Sequence, residues 1–105
     1  MSKYRLTPEA ENDLFEIWWY IARDSVQAAD RVEAAVYYAC SLLAETPLCG
    51  HVRRDLTHLP LRFWTLPRYR NYVIAYSAET SPLQIIRIMN GARNVRELLR
   101  ADLQS

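Results

Sequence analysis

The chain is poor in lysine, glycine and cysteine, and each shortage excludes something. Of the thirteen lysine and arginine residues, Lys3 is the only lysine. Arginine stays charged near neutral pH and presents a planar fork to carboxylate or phosphate, so the basic residues suit binding better than proton transfer. Two glycines and five prolines leave little flexible linker and no low-complexity tract. There is no glycine-rich phosphate cradle and no Gly-x-Ser-x-Gly nucleophile elbow. Cys40 and Cys49 lack metal-ligand spacing and are too few for a disulfide framework; a reducing cytoplasm is the expected location. No apolar run approaches the roughly 20 residues that cross a bilayer. The start, Met1-Ser2-Lys3-Tyr4, has no signal-peptide apolar core. No internal repeat is visible.

At 105 residues and 50% hydrophobic, the chain has enough apolar material for one compact domain, residues 1–105. Its charge is unevenly placed. Residues 1–49 hold four basic and eight acidic groups, a net of −4; residues 50–105 hold nine arginines against four acids, a net of +5. The small overall charge therefore hides a dipolar molecule, which points to an anionic partner on one face. A solvated, solubilising surface is the plainer alternative.

Local patterns divide the chain into elements. Tyr4-Arg5-Leu6 alternates like a short strand. Thr7-Pro8 then opens a helix, with threonine as N-cap, proline preorganised at the first position, and Glu9 and Glu11 near the positive helix end. Ala10, Leu14, Ile17, Trp18 and Ile21 draw one apolar face, widened by Phe15, Trp19 and Ala22. Trp18 and Trp19 are adjacent, so they point about 100° apart and one of them should reach an exposed groove. Asp24-Ser25 starts a second helix with the stripe Ala28/Ala29, Val32, Ala35/Val36, Ala39/Cys40 and Leu43. Its alanines allow close approach, so an antiparallel hairpin is expected. Pro47 ends this helix, and residues 48–60 read as a loop.

Runs at 61–66 and 71–76 flank the segment Pro67 to Arg70, as in an antiparallel pair. A third run, Leu83 to Met89, has blurred alternation, with Ile86 and Ile88 expected to face one way. Asn94-Val95-Arg96-Glu97 resembles a capping box opening a final helix with Leu98, Leu99 and Leu103. The predicted fold is α+β, in the order β-α-α-β-β-β-α. An N-terminal strand and a helical hairpin pack on one face of a small antiparallel sheet.

Few residues point to catalysis. His51 and His58 lie seven apart in the loop, without further ligands, so neither a metal nor any other cofactor is expected. As acid or base in RNA cleavage they would need rigid support, with arginines such as Arg68 and Arg93 stabilising phosphorane charge. Solvated loop residues are the simpler reading of both. Arg62, Arg68, Arg70, Arg87 and Arg93 are interleaved with Trp64, Tyr69, Tyr72 and Tyr76, a mixture that suits nucleic acid and protein hot spots alike.

Several segments, taken in order, resemble the RelE/ParE superfamily of type II toxin–antitoxin toxins. They are Leu6-Thr7-Pro8-Glu9-Ala10 with Asp13-Leu14 and Ile17, Tyr20-Ile21-Ala22, Pro47 with Gly50, and Arg53-Arg54-Asp55-Leu56. Tyr69 to Tyr76 and Ile86 to Arg93 complete the set, which covers nearly the whole chain. The resemblance implies a small cytoplasmic toxin neutralised by a cognate antitoxin, the two forming a hetero-oligomer. Its RelE branch cleaves mRNA on the ribosome, and its ParE branch resembles a non-nucleolytic inhibitor of DNA gyrase. Aligned through Tyr72–Tyr76 and Gly91–Arg93, the positions of the RelE lysines fall near Trp64 and Leu66, its third-strand arginine near Val73, and its terminal tyrosine near Leu99. Only Arg68 and Arg93 keep basic character, and Asn90 stands where many relatives carry histidine. Loss of several groups that act as a unit should abolish cleavage, so the ParE-like reading, a binder rather than an enzyme, is favoured. It implies Arg62, Arg68, Arg70, Arg87, Arg93, Arg96 and Arg100 as target-binding residues. Phe15, Trp18, Trp19, Trp64 and Tyr72 are implied to receive an acidic or disordered antitoxin segment. A RelE-like nuclease and a non-toxic antitoxin-binding relative are the alternatives.

Overall fold

A computed structural model describes residues 3–91. The chain order is β1 (Tyr4–Leu6), α1 (Pro8–Ala22), α2 (Val26–Glu45), β2 (His51–Val52), β3 (Arg62–Thr65), β4 (Tyr72–Ser77) and β5 (Leu83–Asn90). The final helix expected from Asn94 onward, with Leu98, Leu99 and Leu103, lies outside the described residues, as do Arg93, Arg96 and Arg100.

Both helices begin where their sequences say they should. Thr7 Oγ1 accepts a hydrogen bond from the Ala10 N–H at 3.1 Å, and Pro8 occupies the first turn. Ser25 Oγ does the same for Ala28 at 3.1 Å. Each cap satisfies one donor that the helix itself leaves open, worth about 1 kcal/mol. Residues 23–25 are all that separates the helices, and the resulting hairpin packs Leu14 and Ile17 with Val32, Val36, Cys40 and Leu43 into the core.

The sheet is five-stranded in the order β1-β5-β4-β3-β2, and it corrects the expected architecture in two ways. It is mixed: β1 runs parallel to β5, with Tyr4 opposite Leu83 and Leu6 opposite Ile85. The other edge of β5 is taken by β4, so β1 closes the remaining one, aided by Thr7 N–H donating to Ile85 O at 3.0 Å. The segment read as a loop also contains a strand, because His51 and Val52 pair with Phe63 and Arg62.

A β-bulge explains the blurred alternation of the last strand. Ala75 faces Arg87 and Tyr76 faces Ile85, leaving Ile86 as the extra residue. Ile85 and Ile88 consequently both enter the helix-side core, while Ile86 packs with Leu61, Phe63, Ala75 and Met89 on the opposite face. Ile86 and Ile88 therefore do not face the same way. Past the strand, Gly91 takes φ +82°, a left-handed conformation that costs glycine little.

Cys40 is fully buried on the inner face of α2, and burial pushes its thiol up to about 12. In the unfolded chain the solvated thiol loses its proton near 9.0. Stability from this group should therefore hold below pH 9 and decline as pH rises beyond it. Cys49 is only half-buried. Iodoacetamide at neutral pH should alkylate Cys49 and spare Cys40, as read by peptide mass spectrometry. Equal labelling of both would mean that the inner face of α2 opens readily.

Candidate functional site

The sheet's arginine-bearing end is built by the β3–β4 connection. Leu66 N–H donates to Tyr72 O at 3.0 Å, and Tyr72 N–H to Tyr69 O at 2.9 Å, closing a tight turn. Leu66 is buried and Tyr69 leans on the core, which leaves Pro67, Arg68 and Arg70 exposed. Beside the turn, Ala35 and Ala39 of α2 are too small to fill the space between helix and sheet. Tyr38 and Leu42 flank that space, Trp64, Leu66 and Tyr69 form its other wall, and Arg68 stands at its rim. The result is an apolar groove of about 200 Å³. Trp64 Nε1 is buried and has no hydrogen-bond partner among the described residues.

The remaining arginines divide by use. Arg62 Nη1 donates to Gly50 O at 2.8 Å and Leu48 O at 3.3 Å, so it fastens the α2–β2 loop. Arg53 makes an exposed pair with Asp55 at 2.6 Å, the kind worth at most about 1 kcal/mol. Arg54 is exposed. Arg87 is the clear departure from its expected docking role. It is 8% exposed, and its Nε and Nη2 reach Asp13 at 2.7 and 2.8 Å. The Asp13 hydrogen bonds push this guanidinium's pKa up, which fixes its charge in an internal bidentate pair.

Asp13 also accepts from the Ile88 N–H at 2.9 Å. It thereby caps the part of the β5 edge that three-residue β1 is too short to cover. The sequence reading gave Asp13 no role of its own. A signal was present, since Asp13 falls between Ala10 and Ile17 on the buried stripe of α1, and a carboxylate there needs a partner. Tyr38 and Leu42 were missed as groove residues because they lie off the buried stripe of α2.

The aromatic residues expected to receive an acidic segment also separate. Tyr72 is buried at 6% exposure within the helix-side core. Trp64 is half-buried in the groove just described. Phe15 and Trp19 are exposed on α1, and Trp18 is half-buried with its Nε1 donating to Asp30 at 2.9 Å. Of the adjacent pair, Trp19 is the one that reaches solvent. Trp18 and Trp19 meet edge-to-face at 6.0 Å, and Phe15 and Trp19 at 6.2 Å.

His51 sits exposed on β2, contrary to its expected loop placement, and His58 is exposed beyond it. Among the described residues, no three His, Cys, Asp or Glu side chains converge as metal ligands. No helix of the described residues is long and apolar enough to cross a membrane.

Comparison with known proteins adds a family. Residues 4–95 match the family described as ParE toxin of type II toxin-antitoxin system, parDE. Among solved structures, the chain is similar to one described as the chromosomal ParDE TA system from P. aeruginosa. The TM-score is 0.68 at 21% identity, covering 85% of this chain and 95% of that one. No curated protein sequence matches.

Proposed function

Because the chain belongs to the ParE toxin family of type II toxin–antitoxin systems, we propose that it arrests growth in the cytoplasm by binding DNA gyrase, and that a cognate antitoxin neutralises it. The observation that carries this reading is the Arg68-Tyr69-Arg70 turn beside the groove lined by Tyr38, Leu42 and Trp64. Two exposed guanidinium groups next to an unfilled apolar surface suit docking on an anionic, partly apolar target. The antitoxin contributes an acidic, disordered segment. Its apolar side chains enter the groove, and its carboxylates meet Arg68 and Arg70. Neutralisation is then occlusion, since the antitoxin covers the arginines that gyrase needs.

The histidines give a nuclease little support. His51 and His58 are exposed, and among the described residues neither is hydrogen-bonded to a group that would orient it as acid or base.

Purified toxin should inhibit gyrase supercoiling and trap cleaved DNA. The double substitution Arg68→Glu/Arg70→Glu should weaken inhibition by tenfold or more, about 1.4 kcal/mol or above. Folding stability should stay within about 0.5 kcal/mol, because both positions are exposed. An unaffected gyrase, with translation collapsing in a parallel extract, would reject this reading in favour of RNA cleavage. Normal growth on induced expression would instead mark a non-toxic relative.

A further inference from the structure

The outer face of the helical hairpin carries a second groove, of opposite charge to the first. Glu11, Leu14, Phe15 and Trp18 lie on one face of α1 at helical spacing, and Glu33 and Tyr37 oppose them from α2 one turn apart. Between them is a cavity of about 270 Å³. Phe15 is 59% and Tyr37 41% exposed, although aromatic side chains of this size ordinarily shelter in a core or an interface. None of the lining residues is basic. The carboxylates are close enough to matter electrically, since Glu33 and Glu11 both add to burial in pushing the Tyr37 phenol up. Trp18 is held in place by its bond to Asp30, so the indole side of the aromatic wall is set in advance of any ligand.

We propose that this groove is a docking site for a basic protein segment, seating an arginine or lysine side chain between Phe15, Trp18 and Tyr37 with Glu11 and Glu33 as counter-charges. The chemistry is that of an aromatic cage. Ring faces attract a cation, and the flanking carboxylates give the attraction a direction and a second hydrogen-bonding partner. Charge complementarity selects the occupant. An acidic segment laid here would meet Glu11, Glu33 and the nearby Asp30 with no cation in the lining to receive it. The aromatic helix face and the arginine turn therefore address different partner segments. This site does not depend on the choice between gyrase and the ribosome.

The test uses the full chain and two synthetic peptides, acetyl-Ala-Leu-Arg-Leu-Ala-amide and the same peptide with neutral citrulline in place of arginine. Binding is read from the tryptophan indole resonances, with Trp18→Phe used to assign the Trp18 signal. The arginine peptide should shift that resonance saturably, and citrulline should weaken binding about tenfold. The double substitution Glu11→Gln/Glu33→Gln, at solvent-accessible positions, should weaken the arginine peptide equally while leaving the circular dichroism spectrum unchanged. Equal binding of both peptides would overturn the proposal, because the groove would then be merely apolar. So would undiminished binding by the glutamine variant, or the absence of saturable binding at millimolar peptide.

Discussion

Asp13→Ala should lower folding stability by about 3–5 kcal/mol, the range for removing one partner of a buried ion pair. Two losses combine. The buried Arg87 guanidinium loses the carboxylate that binds it twice, at 2.7 and 2.8 Å, and the Ile88 N–H loses its acceptor at the β5 edge. A domain of this size holds about 5–15 kcal/mol in total, so a large share of the stability rests on one side chain. Urea denaturation should show a lower midpoint. A loss below about 1 kcal/mol would put the pair in the class of surface ion pairs and contradict its burial. Asp13→Leu/Arg87→Met should recover much of the loss, because an apolar pair of similar volume needs no charge desolvated. Recovery should stop short of wild type, since Ile88 still lacks its acceptor.

Gly50→Ala should cost about 1–3 kcal/mol through overpacking. A Cβ on Gly50 would run into the Tyr76 hydroxyl and the adjoining ring carbons. Tyr76 cannot step aside, because it is fully buried and bonded at both ends of its hydroxyl. It accepts from Gly50 N–H at 2.8 Å and donates to Pro47 O at 2.7 Å. Burial pushes the phenol up, which keeps that donating proton in place. Tyr76→Phe should cost a similar about 1–3 kcal/mol by leaving the Gly50 N–H and the Pro47 carbonyl without their partner. Combined, the two changes should cost less than the sum of the singles, because phenylalanine lacks the oxygen that the alanine methyl strikes first. Strict additivity in a urea double-mutant cycle would refute the close contact. The same contact, with Arg62 on Gly50 O and Leu48 O, holds the α2–β2 loop against the sheet from which the arginine turn projects.

Features governed by near neighbours were legible in the sequence. Thr7 and Ser25 cap their helices, the stripe from Ala29 to Leu43 turns inward, and Pro67 to Arg70 reverses the chain. In each case the deciding interaction spans only a few residues, so it leaves a mark in local spacing. The charge split was legible too, and it survives folding as an acidic hairpin face and an exposed Arg68–Arg70 turn.

Features that depend on distant partners were not legible. Nothing in Tyr4-Arg5-Leu6 says that it will lie parallel to Leu83–Ile85, since a three-residue strand has too few side chains to specify a neighbour. The bulge at Ile86 reverses the facing expected for the end of β5, because one unpaired residue in a period-two element moves every later side chain to the other face. The arginines show the same division most plainly. Their charge is a property of sequence, but Arg68 and Arg70 face solvent while Arg87 is bound to a carboxylate 74 residues away. Only packing α1 over the β5 edge brings Asp13 to Arg87, and that meeting decides which arginines remain open to a partner.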